Sequence, residues 1–391
     1  MRFHDEFIDR NPCAPHKNIC ASHNNAVLLT ELPARVAQAT RVDDLTGCRA
    51  LFAAWVFLYH LRLPLGVGSF GPADALVARG YLGVDAFFVL SGLVLAHAHT
   101  AVAPGSATAL RFWARRLLRI YPLHLATTLL LVGVVAAGAM LGLPPRDPGR
   151  FGSDELARHL LLVHGWGFSD RWAWNYPSWS ISTEWAGYLA FPLLWLLLRR
   201  APAWACVAVL AAMLGLLASV DMAEGLTGLN LSVHGALARF FPEFVAGMAL
   251  ARVVGMLPGC MRGDAVAAAG AGIALLAAHL GRDWMVVAGV SLTLGGLLAA
   301  ARQGRPALLA RIPGLVLAGE VSFAFYMSFA IVETVQAFAW RRVGVAPAER
   351  EWLFVAVSTL ATFALALALR VCVERPALRL GRSLAAEPPR G

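Results

Sequence analysis

Ten apolar stretches recur along the chain, at residues 45–63, 81–98, 121–143, 177–198, 202–220, 238–254, 265–280, 284–301, 312–332 and 352–371. Each is close to the ~20 residues that a helix needs to cross roughly 30 Å of hydrocarbon. They lack the alternation and short turns of a membrane β-barrel, which excludes strands. Only 15% of the residues are charged and 58% are hydrophobic, against about 25% charged in soluble globular proteins. No water-facing surface can be built from that. The expected fold is all-α, a polytopic membrane bundle of about ten transmembrane helices.

The net charge of +9 comes from arginine, Lys17 being the only lysine, and the arginines gather in alternate loops. That asymmetry places both termini in the cytoplasm of a multi-pass protein of the inner (plasma) membrane. It makes membrane lipids, and not nucleic acid, the partner of the basic charge. Residues 1–44 contain charged residues, prolines and no long apolar run, so they read as a flexible cytoplasmic tail and not as a cleavable signal peptide. Residues 45–380 form the membrane domain and 381–391 a short cytoplasmic tail. Six cysteines without CxxC spacing or a close Cys/His cluster imply neither a disulfide framework nor a metal site.

An ionisable side chain at the bilayer centre costs roughly 2.5–3.5 kcal/mol by insertion scales, so each one is a candidate for function. Arg49 and His60 are eleven positions apart, within about 20° of one helix face and roughly 16 Å apart along the axis. A lipid-facing arginine and a packed histidine are the plainer account of either residue alone, and their shared face counts against it. Asp85 opens the second stretch, where a carboxylate either caps a helix or orients a catalytic group. His97 and His99, two apart, share no helix face and make no metal pair. Arg115, Arg116 and Arg119 suit either topology with lipid phosphate or a phosphorylated cytoplasmic ligand. Ser180 and Glu184 stand one turn apart near the outer end of the fourth stretch, placed for proton transfer or sugar binding, with helix capping by Ser178 or Ser180 as the competing account. The preceding segment, 144–176, carries Trp166, Trp172, Trp174 and Tyr176, which fit sugar faces and an interfacial aromatic belt equally.

Other patterns carry less. GVGSFG at 66–71 matches GxGxxG, but no strand precedes it, so it reads as a turn. Neither a GxSxG elbow nor a P-loop occurs, which counts against a serine hydrolase of that type and a P-loop NTPase. Gly138 and Gly142 form a GxxxG that suggests close helix packing.

Seven segments occur in a telling order. Arg49 is followed after ten residues by His60. Next come Gly80-x-x-Gly83-Val84-Asp85-x-Phe87-Phe88-Val89-x-Ser91-Gly92, Arg115-Arg116-x-x-Arg119-Ile120-Tyr121-Pro122, and Trp179-Ser180-x-Ser182-x-Glu184. Arg239-Phe240 with Gly247, Ser322-Phe323 with Tyr326, and Glu374-Arg375-Pro376 complete the series. Together they resemble the membrane-bound acyltransferase-3 family, which includes bacterial O-acetyltransferases of surface polysaccharides. The chain departs from the family pattern at Thr46 and Cys48, where LDGLR is usual, and at Phe329, where a histidine often follows the tyrosine.

The resemblance implies an acyl-CoA donor, commonly acetyl-CoA, as cytoplasmic co-substrate, with no tightly bound cofactor and no metal. The acceptor would be a hydroxyl of an extracytoplasmic carbohydrate or glycolipid. His60 would be the general base, or carry the acyl group, with Arg49 at the channel mouth and Asp85 or Glu184 orienting the imidazole. Arg115, Arg116 and Arg119 would hold the donor phosphates. Trp179, Ser180, Ser182 and Arg239 would meet the substrate, and Ser91, Ser180, Tyr188 and Arg239 are the candidate oxyanion donors. Some relatives carry a fused extracytoplasmic SGNH esterase domain; here such a partner would be a separate polypeptide. The rival reading is a transporter or flippase for an acylated or anionic solute, which also places ionisable residues on membrane helices. Against it, the two halves show no internal repeat and the polar groups crowd into the first four stretches.

Overall fold

Inside hydrocarbon every backbone N–H and C=O must be satisfied within its own segment, and for apolar runs of this length that leaves the helix. The computed structural model describes residues 42–223, 228–258, 261–305 and 308–383. All ten apolar stretches are helical, and no strand occurs among the described residues. The helices are α1 (Asp43–Leu65), α2 (Asp74–Ala78), α3 (Leu82–Ala98), α4 (Ala107–Met140), α5 (Ser153–Leu160), α6 (Trp179–Leu198) and α7 (Ala203–Asp221). Then follow α8 (Ala236–Met256), α9 (Gly263–Leu280), α10 (Asp283–Arg302), α11 (Leu315–Val343) and α12 (Glu351–Leu369). A π turn at Arg370–Glu374 leads into α13 (Arg375–Ser383). The chain is a polytopic helical membrane bundle. Seven helices are long and apolar enough to cross a bilayer by length and composition, or eight when the α2–α3 unit, bent by 49°, counts as one span. Helices α1 and α8 are long enough but richer in charge, and that charge builds the site described below.

Three boundaries differ from the sequence expectation. Helix α4 starts at Ala107, where the Ser106 hydroxyl accepts from the Ala109 N–H at 3.3 Å, so the arginines 111–119 extend the span as helix. Helix α11 runs eleven residues beyond the expected end at 332, because its amphipathic last turns continue the pattern. Asp43 and Asp44 belong to α1 and not to a tail. Buried Asp44 accepts from the N–H groups of Leu308, Leu309 and Ala310 at 2.7–3.1 Å, pinning the start of α1 to the approach to α11. The tail expected at 1–44 otherwise lies outside the described residues, as do residues 384–391 of the C-terminal tail.

Helix α3 sits at the centre, packed against α8 and flanked by α1, α10 and α6. At the α3–α8 crossing, Gly92 faces the Phe244 carbonyl and Gly247 faces the Val89 carbonyl, each too closely to admit a Cβ. Helix association in lipid relies on such contact, since tails are as apolar as side chains. Helix α7 buries only Cys206 and Leu217, presenting the rest of its apolar surface outward. The GxGxxG segment is a turn with positive φ at all three glycines. The GxxxG reading holds at Gly138, which lies under the Phe338 ring. It fails at Gly142, which ends the helix with φ 73° and nothing within 4 Å.

Gly92→Ala and Gly247→Ala should each destabilise the bundle by at least about 1–3 kcal/mol, the usual cost of overpacking. Fluorescence-detected size exclusion in mild detergent should show a reduced folded peak for each variant, while Gly133→Ala, a site with open space, retains the native profile.

Candidate active site

The polar side chains of α1, α3, α4, α6 and α11 converge on two adjoining hollows. The first, ≈ 290 Å³, opens at the arginine-rich end of the bundle and holds Arg49, Ser91, Arg116, Arg119, Glu184 and Tyr188 between apolar walls from α3. The second, ≈ 180 Å³, lies towards the other end and holds His60, Arg150, Trp172, Tyr176, Trp179 and Glu333. Val84 and Tyr326 line both, so they form the partition. The Tyr326 hydroxyl donates to the Pro177 carbonyl at 2.8 Å and lies 3.0 Å from Ser180 Oγ, which fixes one side of that partition. Arg49 and His60 therefore stand in adjacent chambers of one path.

Neither carboxylate expected to orient His60 is bonded to it. Asp85 is fully buried in a bidentate ion pair with Arg239, which also donates to the Tyr81 carbonyl. Two charges buried in lipid stabilise each other, whereas either alone would be costly. Asp85 thus neither caps α3 nor touches the imidazole. The Arg239 guanidinium stacks 5.2 Å from the Trp179 ring, giving the second hollow a rigid floor. Glu184 belongs to the first hollow, accepting from Ser91 Oγ at 2.9 Å and Tyr188 Oη at 2.6 Å.

The group that does meet His60 is Tyr176. Its hydroxyl lies 2.9 Å from His60 Nδ1 and donates to Glu333 Oε2 at 2.7 Å. Phe329, where a histidine is usual, packs on the imidazole with centroids 4.7 Å apart. Helix α11 therefore supplies both the apolar wall and the terminal carboxylate. Glu333 was invisible to a reading that closed its stretch at residue 332, and Tyr176 was noted only as an aromatic. The i, i+4 spacing of Phe329 and Glu333 is the one sequence signal that joins them.

Tyr176 is held by a tightly anchored loop. Trp174, two residues earlier, takes φ 39°, a conformation that costs about 1–3 kcal/mol in a non-glycine residue. Its indole donates to the Gly152 carbonyl and its N–H to that of Arg150. Asn175 donates to Thr127 of α4 at 3.0 Å. Ser182, expected to meet substrate, instead accepts from the Gly165 N–H and donates to the Leu162 carbonyl, and Trp166 donates to its carbonyl. It points into the loop because the loop's buried backbone has no other partner there. Ser178 bonds to the Asn175 carbonyl and His164, and Ser180 to the Pro177 carbonyl, so neither side chain caps α6. Of the loop aromatics, Trp172 and Tyr176 face the hollow, while Trp166 and Trp174 are anchors.

At the arginine-rich end, Arg116 and Arg119 face the first hollow but Arg115 does not, donating to the Arg111 carbonyl one turn back. Buried Glu374 holds Arg119 at 2.5 Å and Arg370 at 3.2 Å, which accounts for the glutamate of the Glu374-Arg375-Pro376 segment. Gly80 and Gly83 let the α2–α3 bend approach the carbonyls of Trp55 and Phe52 on α1, setting α3 against His60's helix. Among the described residues no group of three or more His, Cys, Asp or Glu side chains could hold a metal ion.

A family model described as an acyltransferase domain, acyltransferase-3, matches residues 42–371. The chain belongs to the acyltransferase-3 family. It is 33% identical to the acyltransferase MdmB of Streptomyces mycarofaciens over 89% of this chain and 94% of that protein. A shorter match, 41% identical over 68 residues, is to protein 2 in the picA locus of Rhizobium radiobacter, covering 17% of this chain and 36% of that protein. No solved structure matches. The protein is thus a membrane acyltransferase, and both hollows fall within the matched region.

The loop also contains a stack of histidines. His159 and His164 lie 3.8 Å apart and nearly parallel, with His124 of α4 stacked 5.8 Å from His164. Burial lowers the His159 pKa to about 4, and burial with the neighbouring His159 and His124 rings drives His164 well below the ordinary 6.5. A released histidine titrates near 6.5, so the neutral stack contributes its stability in full above that pH and loses it as pH falls towards about 4. For His159 alone the loss is about 3 kcal/mol. The melting temperature of the detergent-solubilised protein should fall on going from pH ~7 to ~4.5. His159→Phe should show a smaller fall.

Proposed function

We propose that this acyltransferase moves an acyl group, acetyl by the family resemblance, from cytoplasmic acyl-CoA to a hydroxyl of an extracytoplasmic carbohydrate or glycolipid, with His60 as general base. The arginine-rich end faces the cytoplasm under the positive-inside rule, and the protein sits in the inner (plasma) membrane. One observation carries the reading: a basic chamber and a histidine-bearing chamber meet at a partition of two side chains, Val84 and Tyr326. A thioester entering through the first can reach an acceptor in the second without the CoA portion crossing.

The second chamber suits a sugar. Trp172, Trp179 and Tyr176 offer ring faces, and Arg150 and Glu333 offer hydrogen bonds around them. The acceptor hydroxyl gives its proton to His60 Nε2 as its oxygen attacks the thioester carbonyl. The tetrahedral intermediate collapses with release of the thiolate, which takes the proton back from His60. The Tyr176 proton lies on the Glu333 side, so the Tyr176 oxygen accepts from His60 Nδ1–H and leaves Nε2 free. Glu333 then stabilises the imidazolium through Tyr176, the role expected for Asp85 or Glu184. The comparisons support group transfer and give nothing to the transporter reading.

His60→Ala should lower transfer by about 10²–10⁴-fold. Glu333→Gln and Tyr176→Phe should each lower kcat by roughly tenfold with little change in the KM for donor, and the double variant should be scarcely worse than either, since the two act as one unit. Mass spectrometry of surface glycans from cells with native, variant or deleted chain provides the first test. An acetyl-sized mass lost in both the deletion and His60→Ala supports the reading, and native modification levels in His60→Ala would remove His60 from it. Additive losses in the double variant would separate Glu333 from Tyr176.

A further inference from the structure

Beyond the mouth of the first chamber lies a second basic hollow of ≈ 460 Å³, walled by α1, α4, α11, the π turn and α13, in which the one carboxylate, Glu320 of α11, is paired with Arg370. It shares Thr46, Arg49 and Arg119 with the chamber, so the two adjoin at those side chains. We infer that this vestibule binds the diphosphate and 3′-phosphate of the acyl-CoA donor through Arg375, Arg379 and Arg382 of α13. The inference rests on the acyl-CoA reading above and moves the phosphate site away from Arg115 and Arg116.

Charge accounting leads there. Arg119 and Arg370 are matched by Glu374, and Arg370 also by Glu320. Arg49, Arg375, Arg379 and Arg382 make no ion pair or side-chain hydrogen bond among the described residues, yet all four line the same hollow. Positions 375, 379 and 382 follow i, i+4, i+7 and share one face of α13. Like charges one turn apart on a helix repel, so the face is built for an anion that bridges them. The opposite face is fixed: Gly381 is buried, and a Cβ there would lie 3.9 Å from Leu118 of α4. The arginine face therefore turns towards the cavity mouth. The two spaces also differ as the donor does, with a chamber walled mainly by apolar side chains for the pantetheine arm and a polar one for the phosphates.

A competing basic hollow, ≈ 410 Å³, holds Arg199, Arg200, Arg252 and Arg302. It shares only His97 with the chamber. Arg252 and Arg302 donate to the Ala201 and Gly255 carbonyls, near the ends of α6 and α8, so they are already used in holding helices together.

The test uses inverted vesicles from cells producing the full chain, with free-thiol release measured for acetyl-CoA, acetyl-dephospho-CoA and acetyl-pantetheine. The triple variant R375Q/R379Q/R382Q should raise KM for acetyl-CoA by about tenfold or more, raise it less for the dephospho donor, and leave KM for acetyl-pantetheine and all kcat values unchanged. R199Q/R302Q should leave donor selectivity as in the native chain. Equal losses on acetyl-pantetheine would mean that α13 is only structural and would overturn the inference. So would an unchanged KM for acetyl-CoA, or a selectivity change that follows R199Q/R302Q. Reconstitution in phosphatidylcholine alone, whose headgroup carries no net charge, separates an anionic-lipid source: the donor effect should persist, and its disappearance would assign the arginines to anionic lipid headgroups. Absence of thiol release from all three donors with the native chain would instead sink the acyl-CoA reading, and the inference with it.

Discussion

The pairing of buried charge governs this structure. A carboxylate or guanidinium within hydrocarbon is stabilised by a counterpart, and at two places here the counterpart comes from a distant segment. Asp85 on α3 meets Arg239 on α8, and Glu374 near the end of the chain clamps Arg119 of α4 beside Arg370. Each pair closes a wall of the path through the bundle. The Asp85–Arg239 pair, stacked on Trp179, underlies the His60 chamber, and the Glu374 clamp forms the boundary between the other chamber and its vestibule. The glycine crossing of α3 and α8 is what brings the first of these pairs into register.

From this follows a division of labour along one axis. Basic residues collect where anionic donor chemistry would enter, and apolar walls follow. The aromatic and hydrogen-bonding groups surround His60 beyond Tyr326. Only side chains, Val84 and Tyr326, stand between the two chambers. The loop that carries Tyr176 is correspondingly stiff, with Trp174 held in a costly conformation by hydrogen bonds to Gly152 and Arg150. A base oriented by a tyrosine on a loose loop would gain little from it.

What the sequence shows and what it hides divide by range. The ten helices were legible because hydrocarbon thickness and the helical rise dictate the length of an apolar run. The Arg49 and His60 placement was legible because it lies on one helix. The assignment of partners was not. Asp85 finds Arg239 154 positions away and Tyr176 finds Glu333 157 positions away, and no local periodicity encodes either meeting. Ser182 sits within a segment that resembles the family pattern and still turns out to fasten a loop. Arg115 shares its stretch with Arg116 and Arg119 but faces away, since one residue on a helix is a rotation of about 100°. The extra turns of α11 were missed because Glu333 breaks the apolar run that the eye follows.

The central claim is that acyl transfer proceeds across the partition, with donor on the arginine side and acceptor on the His60 side. Sealed inverted vesicles from producing cells, given acetyl-CoA labelled in the acetyl group, test it directly, because the donor then reaches only the cytoplasmic face. The account predicts that the label accumulates on glycan inside the vesicles, protected until detergent is added, and that His60→Ala vesicles show none. Label appearing on an acceptor at the outer, cytoplasmic face of intact vesicles would contradict it.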